Sequence, residues 1–336
     1  MKSIKFLAAL VAALLMAACN SDTTEMLEPT TPNEEPKTYE VRLSFDGEYV
    51  DITEEPLTRA DEDAPKKLYG INVYSMKTDG SESDYSHYAY GVFDNKEDMV
   101  ISLLEGYKYK FECTSVIEGE DKFPSSYFSG SSSSYFDIPF NLYSSNLYIS
   151  DVNKFNSSAY NYLNGLRYGA TVSNNAMSAH PAMDRYYGEL EDFDPTTTVA
   201  TIPLKRTAFG IKYVVPSVPD GSLSVLASVS GESLKIHPQT ITEPVESTAI
   251  YSFYYVYNCW KVEHVYTVSV TLKFEWTRAN GSVQSFTKDI TVKRNVMTVL
   301  TVNLDGGSRG LNDVTLGIEE EQTEMEIEND EVQFNG

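Results

Sequence analysis

The chain has 336 residues, with 26 Lys and Arg against 49 Asp and Glu and a formal net charge of −23, a balance that excludes nonspecific nucleic-acid binding, which needs clustered basic side chains. Apolar residues make up 41% of the chain, with 24 Tyr and 15 Phe, enough for packed cores and unlike an acidic disordered protein. Four His and three Cys leave little material for a metal centre or a disulfide scaffold, and the length fits two domains.

Residues 1–18 read as a secretion signal. Lys2 and Lys5 supply the positive end, and the apolar run from Phe6 to Met16 is too short to span a bilayer as a finished helix. The run ends in Leu15-Met16-Ala17-Ala18-Cys19, which resembles a bacterial lipobox, with Met16 where Leu is usual. In that motif small residues precede a cysteine that becomes diacylated and then N-terminal; two or three acyl chains, palmitate among them, anchor stably where one does not. The competing reading is ordinary cleavage after Ala18 with an incidental Cys19.

Residues 20–38, rich in Thr, Glu and Pro, form a solvated tether. A strand follows, with Tyr39, Val41, Leu43 and Phe45 on one face and Glu40, Arg42 and Ser44 on the other, so one side is buried. A polar stretch then carries Pro56-Leu57-Thr58-Arg59-Ala60 and Asp61-Glu62-Asp63 before the next strand at Leu68 to Tyr74. Further strands are expected at Met99 to Leu104 and at Tyr107, Tyr109, Phe111 and Cys113, with Lys108, Lys110 and Glu112 opposite. From Lys122 to Tyr168, Ser and Gly interleave with aromatics, including Tyr127, Phe128, Tyr135 and Phe136, which predicts long surface loops with some strand.

The acidic, proline-ended run Glu189 to Pro195 marks the expected domain boundary. Beyond it, alternation predicts strands at Phe209 to Val215, Leu223 to Val229, Tyr251 to Tyr257, Val262 to Trp276, Phe286 to Val292 and Val296 to Leu304, with Asn280-Gly281 as a hairpin turn. No sustained helical period appears. The fold class is therefore all-β, with two tandem antiparallel sandwiches. Cys113 and Cys259 fall in different domains and read as buried thiols.

Catalytic signatures are missing from the sequence. There is no Gly-x-Ser-x-Gly elbow, His-Glu-x-x-His, paired Cys, phosphate loop or calcium loop. His264 lies on the apolar side of a strand and reads as a core or edge histidine; His237 precedes Pro238, and His87 and His180 sit in polar segments. A carboxylate pair could be nominated anywhere among 49 acids, so nomination carries no information. The expectation is a non-enzyme without metal or cofactor. Tyr127, Phe128, Tyr135 and Phe136 form a candidate adhesive loop, offering stacking platforms for a glycan; equally, such rings could cover the sandwich and pack locally.

The order of these motifs resembles the fimbrillin-like proteins of Bacteroidales. The resemblance rests on the lipobox, the Tyr39–Phe45 strand, Pro56 to Ala60, Leu68 to Tyr74, Ile202-Pro203-Leu204-Lys205-Arg206-Thr207-Ala208-Phe209, and Lys293-Arg294-Asn295-Val296-Met297-Thr298-Val299-Leu300. It implies two transthyretin-like sandwiches and a subunit or accessory of an outer-membrane pilus, lipid-anchored at Cys19 and then part of a surface fimbrium used in adhesion. It also implies an arginine-specific protease cutting between Arg59 and Ala60. The organisation expected is a signal over 1–18, a lipidated tether with first strand over 19–59 that can serve as a propeptide, sandwiches over 60–194 and 195–312, and an acidic tail over 313–336.

Excising the Tyr39–Phe45 strand, expected at a sandwich edge, would expose a groove that a strand from another subunit could fill. The candidate donor is the tail, where Val314, Leu316 and Ile318, then Met325 and Ile327, then Val332 and Phe334 alternate with polar residues; the competing reading is a last sandwich strand followed by a disordered tail. Partners on this view are other pilus subunits, the protease, the outer membrane and a host or glycan receptor. The alternative function is a lipid-anchored glycan-binding protein that does not polymerise. The acidity is concentrated at the ends: residues 19–59 carry 3 basic and 11 acidic side chains, and residues 313–336 carry 9 acidic and no basic ones.

Overall fold

The computed structural model describes residues 37–47, 67–117, 139–144, 147, 149–168, 171–173, 176–178, 183–229, 239–304 and 316–325. Their regular structure is almost entirely strand, with one short α-helix and a few 3-10 turns. Cys19, Arg59, Ala60, Tyr127, Phe128, Tyr135 and Phe136 lie outside them.

The first module uses β1 (Thr38–Gly47), β2 (Leu68–Lys77), β3 (Ser86–Phe93), β4 (Val100–Leu104), β5 (Tyr107–Val116), β6 (Asn156–Ser157), the separate hairpin of β7 (Thr171–Ser173) and β8 (Ala176–Ser178), β9 (Arg185–Phe193) and β10 (Val199–Arg206). All but β7 and β8 join one eight-stranded sheet in the order β4-β1-β10-β9-β5-β2-β3-β6. This sheet doubles over at β10. Val199 to Leu204 pair in parallel with β1, whereas Lys205 and Arg206 pair antiparallel with β9. One core lies in the fold, built from Val41, Leu43, Ile101, Leu103, Ile202 and Leu204 on one side and Ile71, Val73, Ala89 and Phe111 on the other. Glycine is required at 188, because a Cβ there would stand 2.1 Å from the Pro203 carbonyl oxygen where β9 meets β10.

Two expectations change here. Residues 199–206, assigned from sequence to the second sandwich, complete the first sheet, so the chain passes between modules at Thr207, whose carbonyl accepts from Phe253 N–H at 3.0 Å. The stretch from Pro139 to Tyr168 is also more than surface loop. Phe140, Leu142, Leu147, Leu163 and Leu166 make a second core against Leu68, Tyr90, Val92, Val116 and Tyr187 on the outer face of the β9-β5-β2-β3 layer. Each of these strands is thus covered on both faces.

The second module contains β11 (Ala208–Val215), β12 (Ser222–Val229), β13 (Gln239–Ile241), β14 (Val245–Ser252), α1 (Val256–Lys261), β15 (Thr267–Thr277), β16 (Val283–Lys293), β17 (Val296–Leu304) and β18 (Leu316–Glu324). Two four-stranded sheets, β14-β11-β17-β18 and β13-β12-β15-β16, enclose a single core. β15 shows the sequence logic plainly: Val270, Leu272, Phe274 and Trp276 are buried, while Ser269, Lys273 and Thr277 are exposed. The hairpin expected at Asn280-Gly281 is present, with Gly281 at φ +81 and Arg278 N–H donating to the Ser282 carbonyl at 2.8 Å.

Of the alternating Tyr251, Phe253, Tyr255 and Tyr257, only Tyr251 lies in a strand. β14 ends at Ser252, and α1 begins at Val256 because its buried Val256 and Cys259 pack inward in different places, Val256 joining the outer core of the first module. His264 is exposed ahead of β15, so the strand starts five residues later than the alternation from Val262 suggested. Cys113 and Cys259 are both buried and share no disulfide.

Candidate functional site

The first predicted feature, β1, is a well-seated strand. Val41 and Leu43 reach the core, and Phe45 stacks on Tyr69 with centroids 5.2 Å apart. Its outward face is tied too: Ser44 and Thr201 hydroxyls meet at 2.8 Å, and Ser102 donates to Glu40 at 3.1 Å. β1 is not the terminal strand of its sheet, which corrects the expectation of an edge. Thr38 to Arg42 pair with β4, and Arg42 to Gly47 pair with β10, so the two halves of the strand lean on different neighbours. The β10 half is parallel, the slightly weaker pairing per residue. The apolar run that seats β1 was legible in sequence; its neighbours were not.

The second feature, the C-terminal segment, is divided. Leu316 and Ile318 lie in β18, which pairs antiparallel with β17 from Val296↔Glu324 to Leu304↔Leu316. Met325 is buried beneath it. Val314, Ile327, Val332 and Phe334 fall outside the described residues. Of the two sequence readings of this segment, the last-strand reading describes residues 316–324.

The structure also assembles a polar cluster that the sequence did not announce. It forms on the side of β5 opposite Phe111, where alternation placed Lys110 and Glu112 towards solvent. Residues 139–168 close over that side, leaving Glu112 only 2% exposed. Burial of a carboxylate demands partners, and Glu112 has four. Oε1 accepts from Arg167 Nε and from the Tyr187 hydroxyl, each at 2.8 Å, and Oε2 accepts from Tyr74 Oη at 2.8 Å and Asn72 Nδ2 at 3.1 Å. Glu189 accepts from Arg167 Nη2 and Lys110 Nζ, both at 2.7 Å, and also meets the Tyr187 hydroxyl. That hydroxyl has one hydrogen, so it serves one carboxylate at a time.

Asn72 bridges the sheet to the covering segment, donating to the Leu163 carbonyl at 3.0 Å and accepting from Leu163 N–H at 2.8 Å. Behind it Arg185, fully buried, donates to the carbonyls of Leu166, Tyr168 and Gly165 at 2.6, 2.7 and 3.0 Å.

Electrostatics follow from this packing. Burial, the Glu112 charge and its hydrogen bond all raise the pKa of Tyr74, so its hydroxyl stays a donor. Burial opposes the charge of Arg167, but Glu112, Tyr187 and Glu189 together outweigh it and raise the pKa. Burial lowers that of His87, which is therefore neutral at pH 7. Arg167 also lies over the Tyr257 ring at 4.6 Å, and its carbonyl accepts from Tyr257 N–H at 3.3 Å, tying the cluster to α1.

In front of the cluster lies a cavity of about 420 Å³ lined by residues of β2, β3 and β5 and of the segment 162–168. Among the described residues, no group of three or more His, Cys, Asp or Glu is placed to hold a metal ion. Both carboxylates are saturated by donors, so neither is presented as an acid or base to the cavity.

No family model matches the chain, and no curated protein matches it. Solved structures do. The chain is similar to a candidate cell adhesion protein from Bacteroides eggerthii, with TM-score 0.39 and 11% identity over 87% of this chain and 96% of that one. It is similar to the tip fimbrial protein Mfa3 from Porphyromonas gingivalis, with TM-score 0.29 and 9% identity over 85% and 98%. A candidate polysaccharide-binding protein from Bacteroides thetaiotaomicron gives TM-score 0.32 and 10% identity over 80% and 92%. Scores this low carry no argument about what the chain does.

Proposed function

We propose that the chain is a cell-surface adhesion protein of the pilus type, a structural subunit rather than an enzyme, exported with a lipid anchor at Cys19 and joined to other subunits by strand exchange. The observation that carries this reading is the seating of β1. It supplies Val41 and Leu43 to the core, yet it precedes a nineteen-residue polar linker, 48–66, that contains Arg59-Ala60. Cutting there leaves β1 held by hydrogen bonds and apolar contacts alone.

Because β1 sits between β4 and β10, its departure would open a slot rather than bare an edge. The slot offers an incoming strand backbone partners on β4 along its first half and on β10 along its second, with apolar holes at the positions of Val41 and Leu43. The donor would come from the segment after β18, with Ile327, Val332 and Phe334 as its apolar positions. Residues 316–324 are already engaged in their own sheet.

The test is digestion of the full chain with an arginine-specific protease, followed by N-terminal sequencing and size-exclusion chromatography. The expected product begins at Ala60 and oligomerises, and a chain ending at Met325 is cut but stays monomeric. A protected Arg59, or a cut product that unfolds without assembling, would refute the mechanism.

A further inference from the structure

The cavity before the Glu112–Glu189 cluster plays no part in strand exchange, and its lining has a consistent chemistry. Its volume, about 420 Å³, lies within the range of roughly 300–1,000 Å³ for small-molecule sites. Four tyrosines, Tyr74, Tyr85, Tyr162 and Tyr168, and His87 contribute ring surface. The rings are organised: His87 stacks on Tyr162 at 4.1 Å with planes 6° apart, Tyr143 stacks on the other side of this pair at 5.0 Å from Tyr162, and Tyr74 tilts against His87 at 4.7 Å. Rigid amphipathic rings of this kind present area at low entropic cost.

Polar capacity is left over at the same place. The Asn164 amide is exposed at the rim, and Arg167 directs only Nε and Nη2 to the carboxylates, leaving Nη1 for a further acceptor. The charges, by contrast, are spent. Lys110 is bound by Glu189 and Glu191, and Arg167 by Glu112 and Glu189. Three carboxylates face two cations, so the site has no surplus positive charge to attract an anion. A cation would have to displace ammonium and guanidinium groups from buried partners, which leaves charges unpaired.

We propose that this cavity binds a neutral saccharide unit. A sugar ring offers what the site accepts: apolar C–H groups for the edges of the stacked rings and for the Tyr85 and Tyr168 side chains, and hydroxyls that both donate and accept for Asn164 and Arg167. Its lining residues are other than the Tyr127–Phe136 stretch, and the site would serve an anchored monomer as well as an assembled subunit. Its test therefore does not depend on strand exchange.

The full chain is applied, uncut, to a printed array of neutral and sialylated glycans, and the hits are titrated by isothermal calorimetry. The expected result is saturable binding of neutral glycans, with sialylated counterparts of the same core no stronger. Tyr162→Ala and Asn164→Ala should each weaken binding at least tenfold. Asn164 is exposed and, among the described residues, makes only a backbone hydrogen bond, to Asn141, so Asn164→Ala should keep the melting temperature of the parent and separates a lost contact from a lost fold. Absence of any neutral hit, binding unchanged in Asn164→Ala, or a consistent preference for sialylated glycans would overturn the proposal.

Discussion

Arg185 shows how one side chain can hold a segment that has little regular structure. It begins β9, is fully buried, and spends its guanidinium on three backbone carbonyls of residues 165–168 and on the Thr114 hydroxyl at 3.2 Å. Burial lowers its pKa to about 9, which still keeps it charged at neutral pH. Without it the Tyr168 carbonyl loses its donor, at roughly 1–3 kcal/mol, and the Leu166 and Gly165 carbonyls keep only the Thr114 hydroxyl and the Tyr168 N–H. Arg185→Leu is accordingly expected to destabilise the chain by about 3–5 kcal/mol, read as a lowered urea midpoint. Little in the sequence marked this residue, because an Arg at a strand start reads as solvent-facing until the segment that covers it is placed.

Among elements, β9 and β10 are the critical pair, since the first sheet changes layer between them. Their close approach is allowed by Gly188. An added methyl group would meet the Pro203 carbonyl oxygen at 2.1 Å and carbonyl carbon at 2.9 Å, and backbone cannot rotate away as a side-chain tip can. Gly188→Ala should therefore cost about 1–3 kcal/mol through strand displacement, visible as a lower melting temperature. Faster amide exchange at Lys205 and Arg206, the two β10 residues paired with β9, would localise the damage. The sequence placed a domain boundary over Glu189 to Pro195, yet residues 189–193 are the second half of β9 and pair with β5, and alternation could not say that β10 serves two layers. Side-chain period is the same on either side of such a bend.

At the scale of the whole molecule, the two modules are joined by hydrogen bonds as well as by apolar contact, through an Arg206 that an ion pair holds within the first module. Arg206, at the end of β10, is bound to Asp184 through Nε at 2.8 Å and through Nη2, and its carbonyl accepts from Arg294 Nη1 of the second module at 3.3 Å. Global stability is also linked to alkaline pH through buried tyrosines. Burial raises the pKa of Tyr251 to about 12 and raises those of Tyr109 and Tyr213 further. An unfolded tyrosine loses its proton near pH 10, so between there and the folded value the native state holds more protons and stability falls as pH rises. Below pH 10 both states are protonated and nothing is lost. Lys96, lowered to about 8 by burial, acts in the opposite sense but only up to its ordinary value of 10.5. Denaturant midpoints should thus drop from pH 10.5 to 12, by up to about 1.4 kcal/mol per pH unit for each such tyrosine.

What the sequence determined by itself was local. Period-two runs such as Phe209 to Val215 and Val268 to Trp276 specified strands and their inward faces, and Asn280-Gly281 specified a turn, because both follow from backbone geometry and the apolarity of neighbours a few residues apart. The tertiary structure decided which strands adjoin and what lies over their polar faces. β1 sits between β4 and β10, residues 199–206 belong to the first sheet, and Tyr255 to Lys261 turn into a short helix where Val256 can enter a core of the other module. The polar cluster was hidden for the same reason. Alternation in β5 says that Lys108, Lys110 and Glu112 share a face, but not that Leu163, Leu166 and Arg167, some fifty residues later, will cover it. The −23 charge pointed away from nucleic acid; the burial of Glu112 and Glu189 among matched cations, decided only in three dimensions, points the same chain towards a neutral ligand.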